Sequence, residues 1–228
     1  MVIVPVVQSI LCLERTTLCG IEVLCRFQNP SGLLSPYGLV RQHQWAEIDH
    51  QMLKLLVPYA EHLNETVPRL FLNVSAASLA NAESFSRWNE AVHVLLDQLK
   101  IPLVLEISET IDPLLLRLRW KQLRDLPGIE LAIDDFGDEN SSLDRLLDYP
   151  WNFCKFDARY ITKISHLVAM FICQSNATFT IVERVESELL SDRCRAMGLN
   201  RQQGFLFSEP SPLFLWLNRI HSGAFSRG

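Results

Sequence analysis

The chain has 228 residues, 48% hydrophobic and 21% charged, ordinary globular values that exclude wholesale disorder. Its net charge of −5 argues against an electrostatic grip on DNA or RNA; the mildly basic end (Arg219, His221, Arg227) is too little for a phosphate-tracking groove. No run reaches the roughly 18 uninterrupted apolar residues of a membrane span.

Residues 3–9 and 18–25 read as two strands joined by the polar turn Glu14-Arg15-Thr16-Thr17. The opening Met1 to Val7 lacks the basic region of a secretion signal and alternates as a strand does. Gln28 to Gly38, with Pro30, Gly32 and Pro36, reads as loop. From Trp45, the residues Ile48, Met52, Leu55, Leu56, Tyr59 and Leu63 recur at three and four, which predicts one amphipathic helix. A strand over 69–75 ends on Asn73, and Trp88, Val92, Leu95, Leu96 and Leu99 mark the next helix.

The strand over 103–109 ends on acid, and Pro113 opens a helix reaching Leu126. The run Leu131-Ala132-Ile133 stops on Asp134-Asp135, and Ser141 to Asp144 has the form of a capping box. A short strand over 153–157 leads to a helix with Tyr160, Ile164, Leu167, Val168 and Phe171 on one face. Phe179 to Glu183 is a strand ending on acid, followed by a helix from Glu186 to Met197. Gln203 to Phe207 reads as the last short strand, and Ser211-Pro212 as the N-cap and first position of the final helix.

The six cysteines (Cys12, Cys19, Cys25, Cys154, Cys173, Cys194) lie in apolar segments without a C-x-x-C pair. That spacing predicts buried thiols in a reducing cytoplasm rather than disulfides or zinc. The histidines are scattered and form no zinc-binding pattern. Strand and helix alternate without a long linker, so residues 1–228 are expected to form one α/β domain. About eight strands point to a TIM-type (β/α)8 barrel, modified by an antiparallel first strand. An open doubly wound sheet is the runner-up, but no G-x-G-x-x-G or P-loop supports it.

Active groups of such barrels sit at the carboxyl ends of the strands. Here those ends read Glu22, Asn73, Glu106, Asp134 with Asp135, Lys155 with Asp157, Glu183, and Gln203. Acids are 26 of 228 residues, so their recurrence at most of these ends is not expected by chance. For each alone, the bland explanation is a helix cap or a solvated turn. Converging together they need counter-charge, which a pair of hard divalent cations supplies. Two such ions about 4 Å apart, with a lysine beside them, form an apparatus for activating water against a phosphodiester.

These residues resemble the EAL family of cyclic di-GMP phosphodiesterases along essentially the whole chain. The resemblance rests on Glu22-Val23-Leu24 with Arg26, Asn73-Val74-Ser75, Glu106 to Glu109 and Asp134-Asp135-Phe136-Gly137. It continues through Ser141-Ser142-Leu143, Lys155-Phe156-Asp157, Glu183 to Glu186, and Gln203 to Phe207 with Pro210. It implies a modified TIM barrel with one antiparallel strand. It also implies a two-metal site for Mg²⁺ or Mn²⁺, with Glu22, Asn73, Glu106 and Asp134 on one ion. Asp134 bridges to the second ion, beside Asp135 and Glu183. Lys155 is implied to orient or activate the attacking water with support from Asp157, while Glu109 braces the loop after Asp135. Glu186 supports the site, and Gln203 and Arg26 contact the substrate or its surroundings. The implied reaction opens one phosphodiester of cyclic di-GMP to give linear pGpG.

The chain departs from the family pattern at several positions. Val23 replaces the signature alanine, Asp138-Glu139-Asn140 replaces an expected glycine and aromatic, and Arg184 stands where glycine is usual. Arg184 is long enough to fill the pocket, pair with Glu183 or Glu186, or contact a phosphate. Val4 and the segment Leu39 to Gln44 also differ from the expected ligand-lining residues. The helix between Asp157 and Phe179 is short in a region that commonly contributes to dimerisation, so a homodimer or another protein partner stands beside the nucleotide. The usual helix ahead of the first strand is missing, which fits either a fragment of a larger protein or a minimal stand-alone version. Two functions follow: a metal-dependent phosphodiesterase, or an impaired domain that senses cyclic di-GMP or binds a protein.

Overall fold

The computed structural model describes residues 2–108, 111–136 and 143–221. Strands β1 (Val2–Cys12) and β2 (Thr17–Asn29) form a long antiparallel hairpin, paired from Val2 opposite Gln28 to Cys12 opposite Thr17 with a register shift between Ile10 and Leu11. A short β3 (Gly32–Leu34) folds back on β2 inside the segment read as loop. Its three residues are exposed and carry no buried face for periodicity to reveal.

The next units are α1 (Trp45–Leu56), α2 (Ala60–Thr66), β4 (Leu70–Val74), α3 (Ala76–Leu79) and α4 (Ala82–Leu96). They are followed by β5 (Leu103–Ser108), α5 (Pro113–Arg124), β6 (Ile129–Phe136), α6 (Leu143–Asp148) and β7 (Phe153–Asp157). The chain continues through α7 (Ile164–Ser175), β8 (Phe179–Glu183), α8 (Glu188–Ala196), β9 (Arg201–Gln202), β10 (Ser211–Pro212) and α9 (Leu213–His221). Side-chain oxygens of Ser75, Asn81, Asp112 and Ser187 cap α3, α4, α5 and α8.

The expected helix from Trp45 to Leu63 is two helices separated by a 3₁₀ turn over Val57–Tyr59. Pro58 lacks the N–H that a continuous ladder requires, although the apolar spacing runs through it. Ser211-Pro212 pairs with Val7 and Val6 of β1 instead of capping a helix, and α9 starts one residue later. The last barrel strand is Arg201–Gln202, just ahead of the expected Gln203 to Phe207. The expected capping-box serines, Ser141 and Ser142, lie outside the described residues.

Eight strands close a ring in the order β1, β2, β4, β5, β6, β7, β8, β9 and back to β1. β1 runs antiparallel to both neighbours, and the other neighbouring pairs are parallel. This is the TIM-like α/β barrel with an antiparallel first strand that the alternation of elements predicts.

The period-two pleat sorts the barrel interior into layers. Ile10, Phe71, Val104, Ala132, Phe153 and Ile181 form one buried apolar cluster. Two residues further along the parallel strands come Asn73, Glu106, Asp134, Lys155 and Glu183. On antiparallel β1 the polar residue, Gln8, comes two residues before Ile10. An apolar plug therefore floors a polar cup. Gly20, two residues before Glu22, takes part by omission: a β-carbon there would lie 2.7 Å from the Phe71 ring.

The main apolar core lies between the barrel wall and its helices, with Leu53, Leu63, Trp88, Leu95, Leu116 and Phe156 among its members. On α7, however, the apolar face faces outward. Ile164 is 80% and Phe171 70% exposed, and the helix buries His166, Ala169 and Cys173 instead. Among the described residues no helix is long and apolar enough to cross a membrane.

Candidate active site

The cup is organised around one buried cation. Lys155 is 1% exposed and its Nζ lies 2.6 Å from Glu106 Oε1, 2.7 Å from Glu183 Oε1, 3.1 Å from Asp134 Oδ1 and 3.4 Å from Glu22 Oε2. Five strands thus deliver four carboxylates and one ammonium to a single point. Asn73 Nδ2 donates to Glu22 Oε1 at 3.1 Å and to Glu106 Oε2 at 3.0 Å. Gln203 Nε2 donates to Glu22 Oε2 at 2.6 Å and to Gln8 Oε1 at 3.2 Å.

These charges are unbalanced. Burial favours the neutral form of Lys155, yet Asp134, Glu106, Glu183 and Glu22 outweigh it and hold the ammonium protonated far above its ordinary range. Burial and the neighbouring Glu22 push Glu106 well above the usual carboxylate range, against the pull of Lys155. Burial likewise raises Glu183 to about 8, despite Lys155 beside it, with Asp134 and Glu22 adding to the rise. Glu22 goes the other way: burial opposes its charge, but Lys155 and the donors Gln203 and Asn73 prevail and lower it.

Further positive charge suits this donor set. Glu106 Oε1 and Asp134 Oδ1 are buried and receive no well-directed hydrogen bond, only the shared ammonium. Ligand oxygens of Asp134, Asp135 and Glu183 all lie within 4.8 Å of one another. Buried or half-buried carboxylate oxygens at that spacing fit a hard divalent ion. Asn73 currently turns its Nδ2 toward the acids, so ligation through its Oδ1 requires the amide to rotate.

Asp157 and Arg184 lie beside the cup. Asp157 accepts from the backbone N–H of Arg159 at 2.8 Å and from that guanidinium, with Nη2 2.5 Å from Oδ2. Arg184 Nη1 donates to Asp157 Oδ2 at 2.6 Å, and its Nη2 lies 3.5 Å from Asp135 Oδ1. Burial notwithstanding, these arginine contacts hold Asp157 below the ordinary carboxylate range. Both Asp135 and Arg184 have left-handed backbone, with φ of 51° and 57°.

The cup opens into two contiguous clefts of about 530 and 510 Å³, which share Arg26, Tyr37, Asn73, Asp134 and Asp135 as lining. Arg26 is half-buried and donates to the Cys25 carbonyl at 2.8 Å. Glu186 and Gln203 line the second cleft. Thus Glu22, Asn73, Glu106, Asp134, Lys155, Glu183 and Gln203 meet directly, whereas Arg26 and Glu186 stand on the walls. Of Arg184's expected contacts, neither Glu183 nor Glu186 is the acid at its guanidinium. Glu109 and the Asp138 to Asn140 departures lie outside the described residues.

Three polar residues of the site were not singled out from the sequence. Gln8 holds Gln203, Arg159 clamps Asp157, and buried Asp49 lines the first cleft. Asp49 had a readable signal, an acid beside Ile48 on a helix face that also buries Met52 and Leu53. Arg159 had none, since exposed arginines after a strand are common.

The EAL domain family model matches residues 3–210. The chain belongs to the EAL family. Among curated relatives, this EAL chain is 29% identical over 230 residues to the cyclic di-GMP phosphodiesterase RocR of Pseudomonas aeruginosa, covering 88% of this chain and 55% of RocR. It is 26% identical over 228 residues to the cyclic di-GMP phosphodiesterase PdeL of Escherichia coli, covering 91% of this chain and 62% of PdeL. The chain therefore spans little more than half the length of these relatives. The EAL domain of DcpA from Mycobacterium smegmatis superposes with a TM-score of 0.76 at 19% identity, over 97% of this chain and 99% of that one. BlrP1 of Klebsiella pneumoniae, solved with manganese and cyclic di-GMP, gives 0.73 at 24% identity, over 91% and 56%. At these identities the solved structures speak to the fold.

Proposed function

We propose that this EAL domain is a metal-dependent phosphodiesterase that hydrolyses cyclic di-GMP to linear pGpG. The observation behind this reading is the convergence of Glu22, Glu106, Asp134 and Glu183 on the Lys155 ammonium at the floor of an open cleft. The activity named for RocR and PdeL supports it.

Glu22, Asn73, Glu106 and Asp134 would hold a Mg²⁺ or Mn²⁺ ion, and Asp134, Asp135 and Glu183 mark the family's second position. When bound, a divalent ion lowers the pKa of water and neutralises charge on a phosphoryl group. Lys155 Nζ touches carboxylate oxygens that would also hold the ion, and its ammonium would orient the attacking water as a hydrogen-bond donor. Asp157 is assigned to supporting Lys155 from the end of the same strand, and Arg26 faces the cleft as a partner for a phosphate. Gln203 fixes the Glu22 carboxylate. Water adds to one phosphorus, the P–O3′ bond breaks, and the proton ends on the released 3′-hydroxyl. Glu109 is assigned to bracing the Asp135 loop, and Glu186 to supporting the cleft wall.

The domain is read as one unit, acting in the cytoplasm, where all six thiols stay reduced; each is free in the structure. The outward apolar face of α7, with Ile164 and Phe171, suits a homodimer or a protein partner.

Purified protein with Mg²⁺ or Mn²⁺ and cyclic di-GMP is expected to release pGpG, and Glu22→Ala to release almost none. Equal rates for the two proteins sink the enzymatic reading. A second reading, a nucleotide sensor without turnover, is favoured by the Arg184 contacts to Asp135 and Asp157. Calorimetry separates the two, since tight nucleotide binding without pGpG identifies a sensor.

A further inference from the structure

We propose that Arg184 takes the place of the second divalent cation, so that the cup of this chain accommodates one ion. This rests on the metal-dependent reading above and concerns how many ions that site admits.

Three acids bring ligand oxygens to the second position, Asp134, Asp135 and Glu183. Asp134 and Glu183 face the Lys155 ammonium, whereas Asp135 faces a different cation, Arg184. The same guanidinium closes on Asp157 at 2.6 Å, and Asp157 is further held by Arg159. Asp157 is thereby a fixed post, and Arg184 spans from it to Asp135 across the mouth of the cup. One of its two carboxylate partners, Asp135, is among the three acids of that second position.

The backbone supports the assignment. Arg184 has φ of 57°, a conformation that glycine adopts freely and other residues rarely. A glycine here would leave Asp135 and Asp157 without this guanidinium. The arginine accepts the left-handed backbone, and its two carboxylate contacts offset that strain. The guanidinium is a monocation with flat, directed donors, so it neutralises Asp135 without coordinating water. It also repels a dication at the adjoining position. Among the described residues, the cation facing the first position, around Glu22, Asn73 and Glu106, is Lys155, itself part of the proposed machinery.

The test counts ions. Chelator-treated wild-type protein, Arg184→Gly and the double variant Arg184→Gly/Asp135→Asn are titrated with Mn²⁺, following free Mn²⁺ by electron paramagnetic resonance. Thermal melts confirm that each variant folds. One Mn²⁺ per wild-type chain, two per Arg184→Gly chain and one again in the double variant are expected. Two ions in the wild type overturn the assignment while leaving metal-dependent hydrolysis intact, as does one ion in Arg184→Gly. Failure of all three proteins to bind Mn²⁺ overturns this inference and the metal-dependent function together.

Discussion

Gln203 Nε2 lies 2.6 Å from Glu22 Oε2, joining the second strand of the barrel to the segment that follows its last strand. The contact is buried and charge-assisted, so it orients a carboxylate assigned to the ion. Gln203→Leu removes the donor at similar volume. It is expected to cost about 2 kcal/mol of stability and to weaken Mn²⁺ binding about 10- to 100-fold. Calorimetric titration checks this, and unchanged Mn²⁺ affinity would show that Glu22 needs no such partner.

Lys155 is the counter-charge for four acids, and removing it leaves them uncompensated. Lys155→Met is expected to destabilise the metal-free protein by about 3–5 kcal/mol, the scale for breaking a buried pair. Mn²⁺ should restore much of that loss, because it neutralises the same oxygens, while hydrolysis stays impaired. Denaturant melts with chelator and with Mn²⁺ make the comparison; an equal loss in both conditions contradicts the shared-oxygen picture.

Chelation alone should lower the melting temperature of the wild type. An ion present at 100 times its dissociation constant stabilises by about 2.7 kcal/mol, which for a chain of this size is roughly 5–10 °C. Glu106→Gln, which alters an oxygen without hydrogen-bond partner other than the ammonium contact, should shrink that difference. Differential scanning fluorimetry is sufficient.

The strand ends were readable because each apolar run stops on a charged or amide residue, and the barrel turns that alternation into a common height. The floor of the cup was implicit in the same pleat, since Phe71, Val104 and Ile181 each precede a site residue by two. What one sequence could not reveal are relationships set by three-dimensional neighbours. Arg184 meets Asp157, 27 residues away, by the geometry of adjacent strands. The direction in which α7 turns its apolar residues depends on what packs beneath it. Periodicity also carried across Pro58, because spacing registers side chains and not the missing N–H.

Gly204 is held against the backbone of Val185, where an added β-carbon would lie 2.1 Å from the carbonyl oxygen and 2.4 Å from the nitrogen. Neither atom can retreat as a flexible side chain does. Gly204→Ala is expected to cost about 3 kcal/mol or more and to displace the neighbouring Glu183 and Gln203. A melting curve together with pGpG release measures both effects; wild-type values for each would refute the close packing.

Asp49 supplies a pH dependence distinct from the cup. Burial raises its pKa above the ordinary 3.8, although Ser75 and Ser78 donate to it. A raised carboxyl favours the folded state when protonated. Its contribution is therefore fully present below pH 3.8 and is lost as pH rises through the folded value. Asp49→Asn keeps an acceptor for Ser75 and should flatten this part of the stability profile, leaving the variant at least as stable as wild type at neutral pH. Denaturant midpoints across the acidic range are the measurement; a variant weaker than wild type at pH 7 contradicts it.

β1 joins its neighbour β2 early, but its other edge waits for β9 and β10 near the far end of the described chain. While the polypeptide is still emerging from the ribosome, that edge has no mate and the ring stays open. Glu22 and Gln203, 181 residues apart, can meet only once nearly all of this segment has been synthesised. A chain that stops before β9 consequently leaves that edge of β1 unpaired and lacks the Glu22–Gln203 contact.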